Sequence, residues 1–137
     1  MTKPMFTILL PAMGRPQLVR DALISVLLQD FKDFEVIVSN NGADSKIKNS
    51  IEDLLDDSRV RYIEWPEPLA MPVHWESIAK MAVGRYVTVL TDRSVLKKGA
   101  LSEIAEIHSR GESGGEVITW GWDLYHDDIR LLSPSTE

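Results

Sequence analysis

Phe6-Thr7-Ile8-Leu9-Leu10 is apolar at nearly every position, unlike the strict alternation of a half-exposed strand. It predicts a strand buried on both faces of a sheet. Similar runs return at Phe34–Ser39, Val60–Glu64 and Tyr86–Leu90. Between them the spacing becomes helical. Pro16 suits a first helical turn, and Leu18, Val19, Ala22, Leu23, Val26 and Leu27 follow on one face, widened by Ile24 and Leu28. Ser45 is placed to cap a second helix carrying Ile47, Ile51, Leu54 and Leu55, closed by Asp56-Asp57-Ser58. Pro72 opens a third, with Met71, Trp75, Ile78, Ala79 and Ala82 inward. A fourth places Leu101, Ile104, Ala105 and His108 on one side and stops at Gly111.

Breakers separate these elements. Pro11 to Pro16 is a loop, Asn40-Asn41-Gly42 reads as a tight turn, and Trp65-Pro66-Glu67-Pro68 excludes helix and ladder alike. Glu116–Trp120 predicts a fifth strand. Leu124-Tyr125 and Ile129–Leu132 predict a hairpin around His126-Asp127-Asp128. Strand and helix alternate through the first hundred or so residues, which implies right-handed βαβ units and a mostly parallel sheet. The fold expected is a Rossmann-like α/β domain.

Composition narrows the function classes. The 137 residues make one domain, and 44% hydrophobic with 26% charged content is that of a globular protein rather than a disordered one. A net charge of -6 without a Lys/Arg stripe argues against nucleic acid as partner. A small anion needs only local positive charge or backbone N–H groups. There is no cysteine, hence no disulfide and no thiolate metal site. No apolar run reaches membrane-spanning length, and a cytoplasmic location is the expectation.

In open α/β sheets, ligands bind beyond the carboxyl ends of the strands, where strand order reverses. Thr91-Asp92-Arg93-Ser94 follows the Tyr86–Leu90 strand and is the candidate cluster there; a solvated loop with a helix cap is the plainer alternative. His126-Asp127-Asp128 with Asp123 matches no strong metal template, and a polar turn explains it better. His108 falls on a packing face. His74 starts the third helix beside the expected crevice, as a ligand contact or a surface histidine. Trp75 fits a helix core, while Trp65, Trp120 and Trp122 fit either packing or stacking. Ser25, Ser77 and Ser102 lack a paired base and acid, so a hydrolase triad has no support.

Several stretches taken together resemble family 2 glycosyltransferases of the GT-A fold. They are Phe6-Thr-Ile-Leu-Leu-Pro-Ala-Met-Gly-Arg-Pro16, Ala22-Leu-Ile-Ser-Val-Leu-Leu-Gln29, Phe31-Lys-Asp-Phe-Glu-Val-Ile-Val38 and Arg59-Val-Arg-Tyr-Ile63. His74-Trp75 stands where many members have Asn-Trp, Gly84-Arg-Tyr-Val87 resembles the run before the family's metal motif, and the closing hairpin is similar too. The resemblance covers nearly the whole chain. It implies a Rossmann-like GT-A three-layer sandwich with a mostly parallel sheet, truncated after the donor-binding half, so that residues 1–137 form one nucleotide-diphosphate-sugar-binding domain.

By that resemblance Pro11, Ala12 and Arg15 border the nucleotide, Asn40 faces the base, and Asp92 approaches ribose or a divalent Mn or Mg ion on the diphosphate. The departures are specific. The family's paired aspartates after the second strand are Asn40 and Asn41, and Arg93 stands where a metal-binding carboxylate is expected. Either Arg93 takes over the metal's electrostatic work, or the site has decayed. The expected partners are a nucleotide-diphosphate sugar and an acceptor of unknown identity, with the catalytic general base beyond Glu137. The uncovered edge around Val117, Ile118, Trp120, Trp122 and Tyr125 predicts self-association into a homo-oligomer. The alternative function is a non-catalytic nucleotide- or partner-binding module.

Overall fold

The computed structural model describes residues 3–111, 124–125 and 131–133. Strand β1 (Phe6–Ala12) leads into helix α1 (Pro16–Leu27), then β2 (Phe34–Asn41), α2 (Ser45–Ile51), β3 (Val60–Trp65), α3 (Met71–Ala79), β4 (Tyr86–Val89) and α4 (Ala100–Ser109). These strands form one parallel sheet in the order β3-β2-β1-β4. Strand order therefore reverses between β1 and β4. Two compact units divide at Glu103, and the second contains a short antiparallel hairpin of β5 (Leu124–Tyr125) and β6 (Leu131–Ser133). The expected fifth strand, the His126-Asp127-Asp128 turn and Val117, Ile118, Trp120 and Trp122 lie outside the described residues.

Both faces of the β1–β2 pair are covered. Ile78 of α3 packs with Leu9 and Ile37, flanked by Ile63, Trp65, Met81 and Ala82. Ile8, Leu10, Val36 and Val38 alternate to the opposite face and are fully buried. Helices α1 and α2, which contact each other, bury Val19, Ala22, Leu23, Val26, Ile47 and Ile51. Each fully buried Val, Leu or Ile among them contributes about 1.5–3 kcal/mol, so the scaffold is set by these layers rather than by any polar contact at the site.

A buried polar latch fastens β4 to the sheet. Glu35, in β2, accepts from the Thr7 hydroxyl (2.6 Å), the Val83 N–H (2.9 Å) and Arg61 (2.9 Å). The Gly84 N–H in turn donates to Thr7 Oγ1 at 2.8 Å. A Cβ at Gly84 would lie 2.6 Å from Thr7 N and 2.7 Å from Phe6 C, so only glycine permits this approach.

Several local expectations need correction. Asp44, not Ser45, caps α2 by accepting the Lys46 N–H at 2.9 Å, and the helix gives way at Glu52–Leu54 to a 3-10 turn. Asn40 and Asn41 belong to β2 itself, and the turn begins at Gly42 with φ 97°. On α3 the buried residues are His74 and Ile78, with Met71 exposed at 62% and Ala82 past the helix end. The Tyr86–Leu90 run, expected to be buried on both faces, forms β4 only as far as Val89, and its Val87 and Val89 are exposed.

Candidate functional site

The switch point between β1 and β4 brings Arg15 and Asp92 together. Gly14 (φ 72°) and Arg15 (φ 52°) both take left-handed backbone conformations before Pro16 starts α1. A left-handed arginine is uncommon, and here its side chain crosses to the end of β4. Arg15 Nε donates to Asp92 Oδ2 at 2.8 Å and Nη2 to Oδ1 at 3.1 Å, a bidentate fork. The Asp92 side chain is 4% exposed, that of Arg15 47%. Hydrogen bonding to Asp92 and its charge raise the Arg15 pKa above its ordinary value.

Helix α1 fixes the loop that follows Asp92. Ser25 Oγ accepts the Leu96 N–H at 3.0 Å. The buried Gln29 amide donates to the Lys97 carbonyl (3.0 Å) and accepts the Leu101 N–H (3.1 Å). Asp92 is thus held by Arg15 at one end of the loop while Ser25 and Gln29 hold the other. Arg93, next in the chain, is exposed and has no side-chain partner among the described residues.

The end of β2 is occupied differently. Asn40 is fully buried; its amide donates to the Asp44 carbonyl and to Tyr62 Oη, both at 2.9 Å, while its Oδ1 accepts the Asp44 N–H at 3.2 Å. Asn41 donates to the Leu69 carbonyl and accepts the Leu69 N–H, each at 2.8 Å. Each amide must donate and accept at once, which a carboxylate cannot do. These contacts give a local reason for asparagine where aspartate was expected. Ala12, in register with Asn40, is buried, and Pro11 beside it, in register with Ser39, is half-buried.

A cluster that sequence reasoning did not assemble lies next to them. Trp65 Nε1 donates to Ser39 Oγ at 2.8 Å, and Ser39 Oγ lies 2.7 Å from His74 Nε2. Ser39 and His74 are both buried, and burial pushes the His74 pKa down. His74 is neither a surface histidine nor an exposed ligand contact but a packed, hydrogen-bonded member of the β2–β3–α3 layer. Only its pairing with Ser39 across 35 positions would have revealed this, and no local pattern carries it. Among the described residues, no three His, Cys, Asp or Glu side chains converge as a metal-binding group. A shallow depression lined by Lys3, Pro4, Met5, Asp33, Gly84 and Arg85 lies at the amino ends of the strands, away from this site.

The sequence model of glycosyl transferase family 2 matches residues 7–131, spanning Arg15, the β2 end and Asp92 alike. The chain belongs to glycosyl transferase family 2. A GalNAc(5)-diNAcBac-PP-undecaprenol beta-1,3-glucosyltransferase of Campylobacter jejuni is 31% identical over 110 residues, 79% of this chain and 36% of the relative. An uncharacterized glycosyltransferase of Mycoplasma genitalium is 28% identical over 97% of this chain and 45% of its own length. The chain therefore spans less than half of either curated relative. Among solved structures, the mannosyltransferase PcManGT of Pyrobaculum calidifontis, in complex with GDP-Man and Mn2+, superposes with a TM-score of 0.67 at 14% identity, covering 77% of this chain and 32% of its own. S. aureus TarS 1-349 with UDP-GlcNAc gives 0.69 at 19% identity, covering 81% and 32%. At such identities the likeness concerns the GT-A fold of this family 2 domain. No helix among the described residues is long and apolar enough to cross a membrane.

Proposed function

We propose that this family 2 domain is the donor-binding half of a glycosyltransferase, holding a nucleoside-diphosphate sugar at the carboxyl ends of β1, β2 and β4. The observation that carries this reading is the Arg15–Asp92 fork at the strand-order switch point, 2.8 and 3.1 Å long. Arg15 and the exposed Arg93 supply positive charge for the diphosphate. Pro11 and Ala12 offer main chain to the nucleotide, and Asn40 shapes the base end through the turn it holds. In the reaction, a bond forms between an acceptor oxygen and the anomeric carbon as the bond from that carbon to the β-phosphate oxygen breaks. The acceptor proton passes to a base supplied from outside the described residues. The guanidiniums stabilise the charge that develops on the departing diphosphate.

PcManGT is in complex with Mn2+, which makes a divalent ion the natural expectation for a relative. The residues here do not fit one as they stand, because both Asp92 oxygens already accept from Arg15 and no acidic group completes a set among the described residues. A binding module without catalysis is the second reading, favoured by the internal engagement of Asn40 and Asn41. Calorimetric titration of UDP and GDP, with UMP and GMP as controls, tests the donor reading. Tighter binding of a diphosphate than of its monophosphate supports it, and equal or absent binding contradicts it.

A further inference from the structure

A metal on a diphosphate is normally held by one or two carboxylates together with phosphate oxygens. Asp92 is the only acid among the candidate site residues, and its side chain is 4% exposed and doubly bonded by Arg15. A cation on Asp92 would have to share its two oxygens with that guanidinium, whose positive charge would sit beside it. A guanidinium therefore already stands where a metal would bring its charge. A guanidinium carries five N–H donors; Asp92 takes two, and the Arg15 side chain is 47% exposed, leaving the others free to meet a ligand. Arg93 adds a second exposed cation one residue from Asp92.

We propose that this site recognises a diphosphate without a divalent metal, Arg15 standing in the metal's place and Asp92 serving as the positioning residue that aims it. This rests on the donor reading above and adds how the phosphates are held. Two measurements on the unmodified chain test it. UDP and GDP are titrated calorimetrically in Mn2+ and again in EDTA, and the electron paramagnetic resonance signal of free Mn2+ is followed as nucleotide-free protein is added. The expected results are affinities within about twofold of each other in the two buffers and an undiminished free-Mn2+ signal. Arg15→Gln should weaken UDP about tenfold to a hundredfold, the equivalent of one charge-assisted hydrogen bond, while leaving the affinity for uridine unchanged. A merely structural loss would weaken both. Binding only in Mn2+, or loss of the free-Mn2+ signal on adding protein, overturns the inference and leaves the donor reading standing. No nucleotide binding in either buffer overturns both.

Discussion

Asn41 and Leu69 exchange two hydrogen bonds, amide to carbonyl and N–H to carbonyl, each 2.8 Å long. The side chain thereby extends the end of β2 by one strand-like pairing and ties down the loop between Trp65 and Met71. The chemistry of that pairing sets a preference between two nearly isosteric residues. Asn41→Asp would replace the donor by an acceptor facing the Leu69 carbonyl. The variant should lose about 1–3 kcal/mol, the cost of a buried polar group left unpaired. Urea denaturation of wild type and variant checks this. An unchanged midpoint would show that the loop is held by something else.

Glu35 gives the fold an acid-sensitive fastening. Burial pushes its pKa up, but hydrogen bonds from Thr7, Val83 and Arg61, with the charge of Arg61, outweigh it and hold the carboxyl below its ordinary 4.5. A group depressed in the folded state stabilises the fold above its unfolded pKa and loses that contribution as pH falls through the folded one. Wild-type stability should therefore decline below about pH 4.5 more steeply than that of Glu35→Gln, which has no proton to take up. Denaturation midpoints across that range decide the matter. Parallel slopes would contradict it.

His74 acts in a higher window. Burial lowers its pKa from 6.5, so the folded state holds it neutral against Ser39. The unfolded chain takes up that proton first, and stability should begin to fall as pH drops below about 6.5. NMR titration should give His74 a midpoint below those of the exposed histidines of unfolded peptides, and His74→Asn should flatten the stability profile between neutral pH and about pH 5. A His74 midpoint at or above the ordinary value would contradict the assignment.

The fold was largely legible because β1 and β2 are buried on both faces, and a two-sided strand is apolar at consecutive positions. The Tyr86–Val89 run misled for the same reason: an apolar run reads as buried on both faces, yet Val87 and Val89 are exposed. At the site, Arg15 and Asp92 were each named from sequence, but their pairing across 77 positions was not. It depends on Arg15 entering the left-handed region, which its side chain does not announce. His74 was missed as a core residue because a polar side chain is buried only when its partners, Ser39 and Trp65, arrive from distant strands. The asparagine pair read as a loss of charge, whereas its donor–acceptor contacts to Asp44, Tyr62 and Leu69 appear only in three dimensions.

The central claim is that a nucleoside diphosphate sits at the carboxyl ends of β1, β2 and β4. Amide chemical-shift mapping during titration with UDP, and separately with GDP, tests it most directly. The largest shifts are expected at Ala12–Arg15, Asn40–Gly42 and Thr91–Ser94. Shifts centred instead on Lys3, Met5, Asp33, Gly84 and Arg85, at the opposite ends of the strands, would contradict it, as would a spectrum that neither nucleotide changes.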